Sequence, residues 1–214
     1  MSKPSISYAI TVCNEYEEIE NLIPFLLENK KDQDEVVVLF DSKNGTSEVW
    51  ELLQEYKDKI TLVRYDFNND FAEWKNRLQP LCTKDWIFNI DADETPTEIL
   101  MSVIHDVLDD NDKVEALWVP RRNYVEGITQ EYIDKMGWVK DKLNRINWPD
   151  MQLRVYKNKP EIFWKNKVHE QLVGYTTISE FPSELEYLSL YHDKTFDKQL
   201  KQNEFYLNLQ NGQA

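Results

Sequence analysis

Glycine is scarce in this sequence, with only five among 214 residues. No GxGxxG turn follows the first predicted strand, and no Walker-type glycine loop is found anywhere in the chain. Such loops cradle phosphates with backbone N–H groups in dinucleotide-binding and P-loop proteins. The sequence therefore disfavours both of those classes, and polar side chains would have to hold any phosphate-bearing ligand.

Cysteine is also rare, and long apolar runs are missing. Cys13 and Cys82 are the only two cysteines and show no CxxC spacing, which argues against a zinc site and against a disulfide framework. No run approaches the roughly 18 apolar residues of a membrane span, and residues 1–4 lack the apolar core of a signal peptide. We expect a soluble, cytoplasmic protein without a transmembrane segment. Nothing in the sequence indicates its oligomeric state.

Positive charge is in deficit, because the formal net charge is −14. This disfavours a non-specific nucleic-acid binder, which needs a basic face against phosphates. The charge is uneven: residues 1–119 carry a net −15, residues 120–170 carry +4, and residues 171–214 carry −3. The basic segment could face a polyphosphate or an anionic acceptor, or it could be an ordinary solvated loop.

The first half of the chain alternates apolar strands with amphipathic helices, which predicts an α/β fold with a mostly parallel, doubly wound sheet. A hydrophobic content of 41% is enough for one sizeable core, so we predict a single domain over residues 1–214. The predicted strands are Ile6–Val12, Asp34–Phe40, Ile60–Tyr65 and Trp86–Ile90, and the predicted helices are Glu17–Glu28, Ser47–Tyr56, Asp70–Leu81 and Glu98–Leu108.

The second half of the chain predicts more strand and more irregular structure. A fifth strand, Ala116–Pro120, is placed at a sheet edge or bend because proline cannot donate to a ladder. Residues 121–150 are predicted to be long loops or short helices. Further strands are predicted at Met151–Tyr156, Glu161–Trp164 and Tyr187–Tyr191, with a final helix over Phe196–Leu209.

Carboxylates follow the predicted strands at one edge of the sheet, where ligands of such sheets bind. Asp91 and Asp93 follow the fourth strand, and a period of two would turn both toward one point. Two such carboxylates repel each other unless a hard cation such as Mg²⁺ or Mn²⁺ lies between them. An N-cap role for Asp93 or Thr95 is the ordinary alternative. Asn14-Glu15 and Asp41 fall at the same edge, where Glu15 could instead begin a helix and Asp41 could be a turn residue.

Taken together, these positions resemble the inverting glycosyltransferases of family 2, which share the GT-A fold, and in particular the bacterial enzymes that build surface glycans. The resemblance is carried by segments 11–15, 40–42, 71–77, 85–94, 148–158 and 167–170. It implies a GT-A-type, Rossmann-like sheet flanked by helices, with a nucleotide-sugar-binding half over residues 1–115. Residues 116–214 would form a β-rich acceptor-binding half and a C-terminal helix.

The resemblance also implies roles for individual residues. Asp91, Asp93 and His192 would hold Mn²⁺ or Mg²⁺ on the diphosphate of a nucleoside-diphosphate sugar, with a UDP-sugar favoured. The remaining donor contacts would come from Thr11, Asn14, Glu15, Asp41, Lys75, Asn76 and Asp91. The family often has Arg where Lys75 stands, and Lys binds phosphate as a point charge. His192 could also be a surface histidine, and Lys75 a solvated helix residue.

An inverting transfer needs a general base to take the proton of the acceptor hydroxyl. Glu170 is the first choice and Asp150 the second, with His169 able to orient Glu170. A solvated strand end is the alternative for Glu170.

The predicted acceptor is a glycan or a lipid-linked sugar, and a hydroxylated base in DNA or a protein acceptor remains open. Two other functions are weighed against transfer. A nucleotidyltransferase would use a related sheet but lacks its usual glycine loop here, and a non-catalytic nucleotide-sugar-binding module would keep the fold alone.

Overall fold

The computed structural model describes residues 3–210, without the side chain of Gln210. Met1 and Ser2, on which part of the signal-peptide argument rests, lie outside that range, as do the ends of the predicted domain 1–214. The strands are β1 Ile6–Val12, β2 Glu35–Asp41, β3 Thr61–Tyr65, β4 Trp86–Asp91, β5 Thr95–Pro96, β6 Ala116–Glu126, β7 Ile146–Lys157, β8 Phe163–Lys165, β9 Gln171–Val173, β10 Ile178–Glu180 and β11 Leu190–Thr195. The α-helices are α1 Tyr16–Asn29, α2 Ser47–Glu55, α3 Phe71–Leu78, α4 Glu98–Asp110, α5 Gln130–Met136 and α6 Phe196–Gln210.

Nine strands of the described chain form one sheet in the order β3-β2-β1-β4-β7-β6-β11-β5, with β10 added beside β6. The pairs β1–β2, β1–β4, β2–β3, β6–β10 and β6–β11 are parallel, whereas β4–β7, β6–β7 and β5–β11 are antiparallel. The predicted α/β fold with a mostly parallel central sheet is therefore confirmed. The antiparallel β7 joins the first half of the chain to the second.

Apolar residues cover both faces of the sheet, as a doubly wound fold requires. Helices α1, α2 and α4 pack on one face through residues such as Leu22, Leu53 and Ile104. Helix α3 and the β8–β9 hairpin cover the other face through residues such as Trp74 and Trp164. Thr46, Asp70 and Thr97 cap the N-termini of α2, α3 and α4 by accepting backbone N–H bonds.

The second half of the chain is more regular than predicted. β6 continues to Glu126 and β7 begins at Ile146, so both ends of residues 121–150 are strand, and between them lie the predicted loops and one short helix, α5. β6 is not an edge strand, because β7 pairs along one side of it and β10 and β11 pair along the other. On its other side, β10 pairs with residues 116–118 and β11 begins to pair at Arg121, so Pro120 lies where β6 changes partners. That position tolerates a residue without an N–H group.

The last predicted strand is displaced toward the C-terminus. A 3₁₀ helix occupies Glu186–Leu188, and β11 runs from Leu190 to Thr195. His192 therefore lies inside a strand and not at the end of one, with its backbone registered against Asn123 of β6. Among residues 3–210, none of the helices is both long enough and apolar enough to cross a bilayer.

Candidate active site

The strand-to-helix loops of the first half meet at one edge of the sheet. Thr11 near the end of β1 is registered against Leu39 of β2 on one side and Asp91 of β4 on the other. The loops that carry Glu15, Asp41 and Asp93 leave from this edge. Thr11, Asp91 and the loops that carry Glu15, Asp41 and Asp93 therefore lie at one edge of the sheet.

The loop after β1 is organised by the carboxylate of Glu15. Its Oε2 accepts the backbone N–H groups of Cys13 at 2.8 Å and Asn14 at 3.0 Å. Burial raises the pKa of Glu15, the bond from Cys13 opposes that rise, and the negative charge of Asp93 adds to it. The loops after β1 and β4 are therefore close enough to interact electrostatically, and Asn14 itself is exposed at the rim.

Asp41, only 2% exposed, holds the loop after β2. One carboxylate oxygen accepts backbone N–H groups from Lys43, Asn44 and Phe67 at 2.9 to 3.2 Å, and the other accepts the Asn44 side chain at 2.8 Å. These bonds fit the turn-residue alternative. Contact of Asp41 with a ribose or a base stays a prediction, and it would have to share these oxygens.

Asp91, the last residue of β4, lies between two cations. Lys75 Nζ is 3.2 Å from one carboxylate oxygen, and Arg154 donates to the other. Burial disfavours ionisation of Asp91, but the Arg154 and Lys75 charges outweigh burial and hold its pKa well below the usual range. Lys75 is 3% exposed, so it is not the solvated helix residue of the alternative interpretation.

Asp93 faces a different set of partners. His192 Nε2 lies 3.0 Å from Asp93 Oδ2, and Lys194 Nζ lies 3.8 Å from the same oxygen. Burial opposes ionisation here too, but His192 and Lys194 lower the pKa of Asp93 overall. His192 is 6% exposed, so it is not a surface histidine. Asp91 and Asp93 are thus met by separate sets of side chains, Lys75 with Arg154 and His192 with Lys194.

Asn123 fixes the imidazole of His192. Its Nδ2 donates to Asp150 Oδ2 at 2.9 Å, so its Oδ1 faces His192 Nδ1 at 2.6 Å. An amide oxygen can only accept, and Nδ1 must therefore carry a proton. This leaves Nε2 as the ring atom directed toward Asp93, which is how a histidine ligand is oriented by an outer hydrogen bond.

A buried ionic network supports the floor of the site. Glu94, fully buried, accepts Arg121 at 2.8 Å and Arg154 at 2.6 Å through one oxygen. Its other oxygen accepts the backbone N–H of Asp91 at 3.1 Å. Glu94 therefore holds two guanidinium groups against the carboxylates of the loop after β4.

Asp150 is tied to the same network. Its Oδ2 accepts Arg121 at 2.6 and 2.9 Å and Asn123 at 2.9 Å, and its Oδ1 accepts Gln152 at 2.7 Å. Burial opposes ionisation, but Arg121 and Asn123 lower the pKa of Asp150 overall. These four bonds occupy both oxygens of Asp150, which makes it the less available of the two candidate bases.

Glu170 has a single ionic partner among the residues described, Lys75, at 2.7 Å from its Oε1. Its side chain is 19% exposed, so it is not a solvated strand end. Burial would raise the pKa of Glu170, but the charge of Lys75 lowers it overall. Lys75 therefore bridges Glu170 to Asp91, and it lies over the Trp164 ring at 4.7 Å.

Asn76, predicted next to the donor, clamps the backbone of Trp164 instead. Its Nδ2 donates to the Trp164 carbonyl at 2.8 Å, and its Oδ1 accepts the Trp164 N–H at 2.7 Å. The two bonds fix β8 against α3. A donor contact by Asn76 stays a prediction, and it would have to replace one of these bonds.

A pocket of about 270 Å³ opens beside this cluster. Helix α6 forms one wall of the pocket, and Lys194 Nζ donates to Gln202 of that helix at 2.6 Å. Tyr206 of α6 lines the pocket together with Asp91 and Asp93. Burial and the charges of Asp91, Asp93 and Glu170 raise the pKa of Tyr206. The residues that line the pocket include Asp91, Asp93, Arg121, Asn123, Trp138, Asn147, Asp150, His169, His192, Lys194, Gln199, Gln202, Asn203 and Tyr206.

Five side chains of this site were not predicted from the sequence: Arg121, Asn123, Arg154, Lys194 and Tyr206. Arg154 carries a signal, because it is the one charged residue of the predicted strand Met151–Tyr156. Lys194 follows His192 with strand periodicity, which would have paired them once β11 was extended correctly. Arg121 and Asn123 depend on the β6–β7 register and its bulge, and we find no local sequence signal for them.

The family assignment rests on sequence, and the fold comparison agrees with it. The profile described as "Glycosyl transferase family 2" matches residues 7–172, well over half of the chain. This chain belongs to glycosyl transferase family 2. No curated protein matches this family 2 chain by sequence.

Solved structures share the fold of this family 2 chain. S. aureus TarS 1–349 in complex with UDP superposes with a TM-score of 0.62 at 16% identity, over 88% of this chain and 60% of that one. The complex of the same fragment with UDP-GlcNAc gives 0.61 at 16% identity, over 90% and 59%. This chain thus spans about 60% of the TarS fragment. At such identity the likeness shows the GT-A-type fold alone.

Proposed function

We propose that this protein is a metal-dependent, inverting glycosyltransferase that moves a sugar from a UDP-sugar to an acceptor hydroxyl on a glycan or a lipid-linked sugar. The observation that carries the proposal is the Asp93–His192 pair at the wall of the pocket, with Arg121 and Lys194 beside it. Those groups lie at the carboxyl edge of a GT-A-type sheet. The UDP and UDP-GlcNAc complexes of TarS support a uridine nucleotide as donor.

The donor set fits a divalent cation only in part. Among residues 3–210, no group of three or more His, Cys, Asp or Glu side chains could hold a metal ion. Asp93 and His192 supply one oxygen and one nitrogen that already face each other, and Asp91 is occupied by Lys75 and Arg154. Mg²⁺ and Mn²⁺ commonly take their remaining ligands from substrate phosphates and water. We therefore assign Asp93 and His192 as metal ligands and Asp91 as a support of the loop.

The bound cation would act as a Lewis acid on the diphosphate, helping its departure from the sugar. Protein charges add to that effect. Lys194 and Arg121 lie beside Asp93, and a fixed positive charge stabilises the negative charge that develops on a leaving diphosphate. Burial lowers the pKa of Lys194 more than the charge of Asp93 raises it. A second anion beside Lys194, such as a phosphate, would therefore stabilise its charged form.

Glu170 is the proposed general base. An inverting transfer forms the new glycosidic bond on the face opposite the departing diphosphate, while the acceptor hydroxyl loses its proton. The Lys75 contact keeps Glu170 ionised at neutral pH and positions one of its oxygens. Asp150 is the second candidate, although its hydrogen bonds engage both oxygens.

Other functions stay open, and each has its own signature. A hydroxylated base in DNA or a protein could serve as the acceptor, and a cytoplasmic location stays a prediction. A non-catalytic module would bind nucleotide sugar without releasing UDP, and a nucleotidyltransferase would need a nucleoside triphosphate. Donor consumption separates these from a glycosyltransferase.

Thermal unfolding with a panel of nucleoside diphosphates and nucleotide sugars, each with and without Mn²⁺, tests the donor site. A ligand at about 100 times its dissociation constant adds about 2.7 kcal/mol to the stability of the native state. We expect a midpoint shift that requires both a uridine nucleotide and Mn²⁺. Asp93→Asn should lose the metal-dependent part of that shift, and the exposed control Asp109→Asn should keep it. No shift with any ligand would contradict the proposal.

A further inference from the structure

One surface feature lies at the border of the site described above. In the loop of residues 139–147, Val139 is 68% exposed and Leu143 is 65% exposed, the two highest exposures among the large apolar residues described. Met136, at the end of α5 just before this loop, is 39% exposed. Lys140 and Lys142 are also exposed. Aliphatic side chains and lysines therefore reach solvent together at one place.

The loop is firmly held, so these exposures do not reflect a loose segment. Val139 and Asn147 exchange two hydrogen bonds, at 2.8 and 2.9 Å. Asp141 accepts the backbone N–H groups of Leu143 and Arg145, each at 2.9 Å, and the Arg145 side chain at 2.7 Å. The turn so formed keeps Leu143 pointing away from the body of the protein.

Arg145 anchors the loop to the rest of the molecule. Its guanidinium donates to Glu186 at 2.7 Å and stacks on the Trp148 ring at 4.3 Å. Arg145 is thereby half-buried and neutralised, while Lys140 and Lys142 remain directed to solvent. The ion pairs of Arg145 therefore hold the loop in place, while Lys140 and Lys142 are exposed to solvent.

The charge of this surface differs from that of the chain. The loop of residues 139–147 carries a net +2, whereas the whole chain carries −14. A nucleic acid would use the lysines but would gain little from exposed Val139 and Leu143. An anionic bilayer uses both, because lysines meet the headgroup charges and aliphatic side chains enter the acyl boundary.

We propose that the loop of residues 139–147 docks this protein on an anionic lipid bilayer. The loop also borders the candidate site, because Trp138, Ile146 and Asn147 line its pocket. Docking there would hold the mouth of the pocket at the headgroup level, where a lipid-linked acceptor would be presented. The lipid contact itself does not depend on the proposed transfer reaction.

Co-sedimentation with vesicles tests the proposal directly. Vesicles of phosphatidylcholine alone are compared with vesicles of equal parts phosphatidylcholine and phosphatidylglycerol, at low and at high salt. We expect binding to the anionic vesicles that weakens with salt, since screening shortens the reach of the lysines. Val139→Asp/Leu143→Asp should lower the partition coefficient at least tenfold. Lys140→Ala/Lys142→Ala should lower it about fivefold for each lysine removed.

Ile99→Asp provides the matched control, because Ile99 is a 48% exposed aliphatic residue on α4, away from this loop. It should bind vesicles like the wild type. Val139 and Leu143 are both exposed, so the Val139→Asp/Leu143→Asp variant should keep the unfolding midpoint of the wild type. The Val139→Asp/Leu143→Asp variant should also keep the UDP-dependent midpoint shift. This separates a failure of docking from a failure of donor binding.

Two results would overturn the proposal. One is the absence of binding to the anionic vesicles at low salt. The other is binding that Val139→Asp/Leu143→Asp leaves unchanged or that Ile99→Asp reduces equally. Either would mean that this surface does not meet a lipid bilayer.

Discussion

His192 Nε2 lies 3.0 Å from Asp93 Oδ2, although 99 residues separate the two in sequence. The contact exists because β11 pairs with β6, which registers His192 against Asn123, and because the loop after β4 turns Asp93 toward that strand. A carboxylate oxygen and a tautomer-fixed imidazole nitrogen so close together form the most specific chemical feature of this site. The predictions below start from it.

Asn123→Ala should weaken metal binding without removing a ligand. Asn123 Oδ1 accepts the proton of His192 Nδ1, and losing such an outer hydrogen bond costs roughly 10- to 100-fold in metal affinity. The Mn²⁺ concentration giving half of the UDP-dependent midpoint shift should rise by that factor. Asn21→Ala, at an exposed position on α1, should leave it unchanged, and an unchanged value for Asn123→Ala would mean that His192 does not ligate the metal.

Lys75→Met should destabilise the fold. The Lys75 ammonium contacts both Asp91 and Glu170, and its removal leaves two partly buried carboxylates facing each other. Removing one partner of a buried ion pair costs about 3 kcal/mol or more. Chemical denaturation should show a loss of this size, whereas the exposed control Lys57→Met should lose less than about 0.5 kcal/mol. A loss for Lys75→Met no greater than for the control would contradict the bridging role.

Glu170→Gln and Asp150→Asn together decide which residue is the base. Loss of a general base slows turnover by roughly 10² to 10⁴-fold. We expect a fall in that range for Glu170→Gln, with the UDP-dependent midpoint shift preserved. Asp150→Asn should instead loosen Arg121 and lower stability. If Asp150→Asn abolishes turnover while binding stays intact, and Glu170→Gln remains active, the assignment of the base is wrong.

Stability should fall in acid, partly through Asp93. The native pKa of Asp93 is lowered below the unfolded value of about 4, so its contribution is complete above pH 4 and is lost as pH falls through the native pKa. One group that binds a proton only in the unfolded state gives a slope of about 1.4 kcal/mol per pH unit. Asp93→Asn should reduce the slope of the unfolding free energy between pH 4 and 2 by up to that amount. An unchanged slope would mean that His192 does not lower the pKa of Asp93.

The parts of the fold that could be predicted are those with strong local signals. β1 to β4 are short apolar strands, and α1 to α4 show helical spacing, so each was located within a few residues. The strand Ala116–Pro120 was found, but its predicted edge position was wrong, because the cost of proline in a strand depends on which neighbour pairs at that residue, and β6 changes neighbours there. Strand pairing of this kind is a tertiary property. The predicted alternative of a bend at Pro120 stays a prediction.

The candidate site likewise contains residues that local sequence signals locate and residues that only the tertiary structure locates. Asp91, Asp93 and Glu15 follow local strands, so the parallel order of the sheet was enough to bring them to one edge. Their partners come from β6, β7, β11 and α6, and for the partners on strands a one-residue error in register would have moved the side chain to the other face. His192 was placed at a strand end because the predicted strand Tyr187–Tyr191 stopped short of the observed end of β11 at Thr195. Tyr206 and the pocket wall on α6 depend on how the last helix packs, for which its sequence carries only weak amphipathic patterning.

UDP release from UDP-sugars tests whether Asp93 serves the transfer of a sugar from a UDP-sugar donor. Wild-type protein, Asp93→Asn and Asp109→Asn are incubated with UDP-GlcNAc, UDP-glucose or UDP-galactose and Mn²⁺, with and without an oligosaccharide acceptor mixture. We expect wild type and Asp109→Asn to release UDP from at least one donor, and Asp93→Asn to be at least about 100-fold slower. Release of UDP at the same rate by Asp93→Asn, or no release from any donor by the wild type, would contradict it.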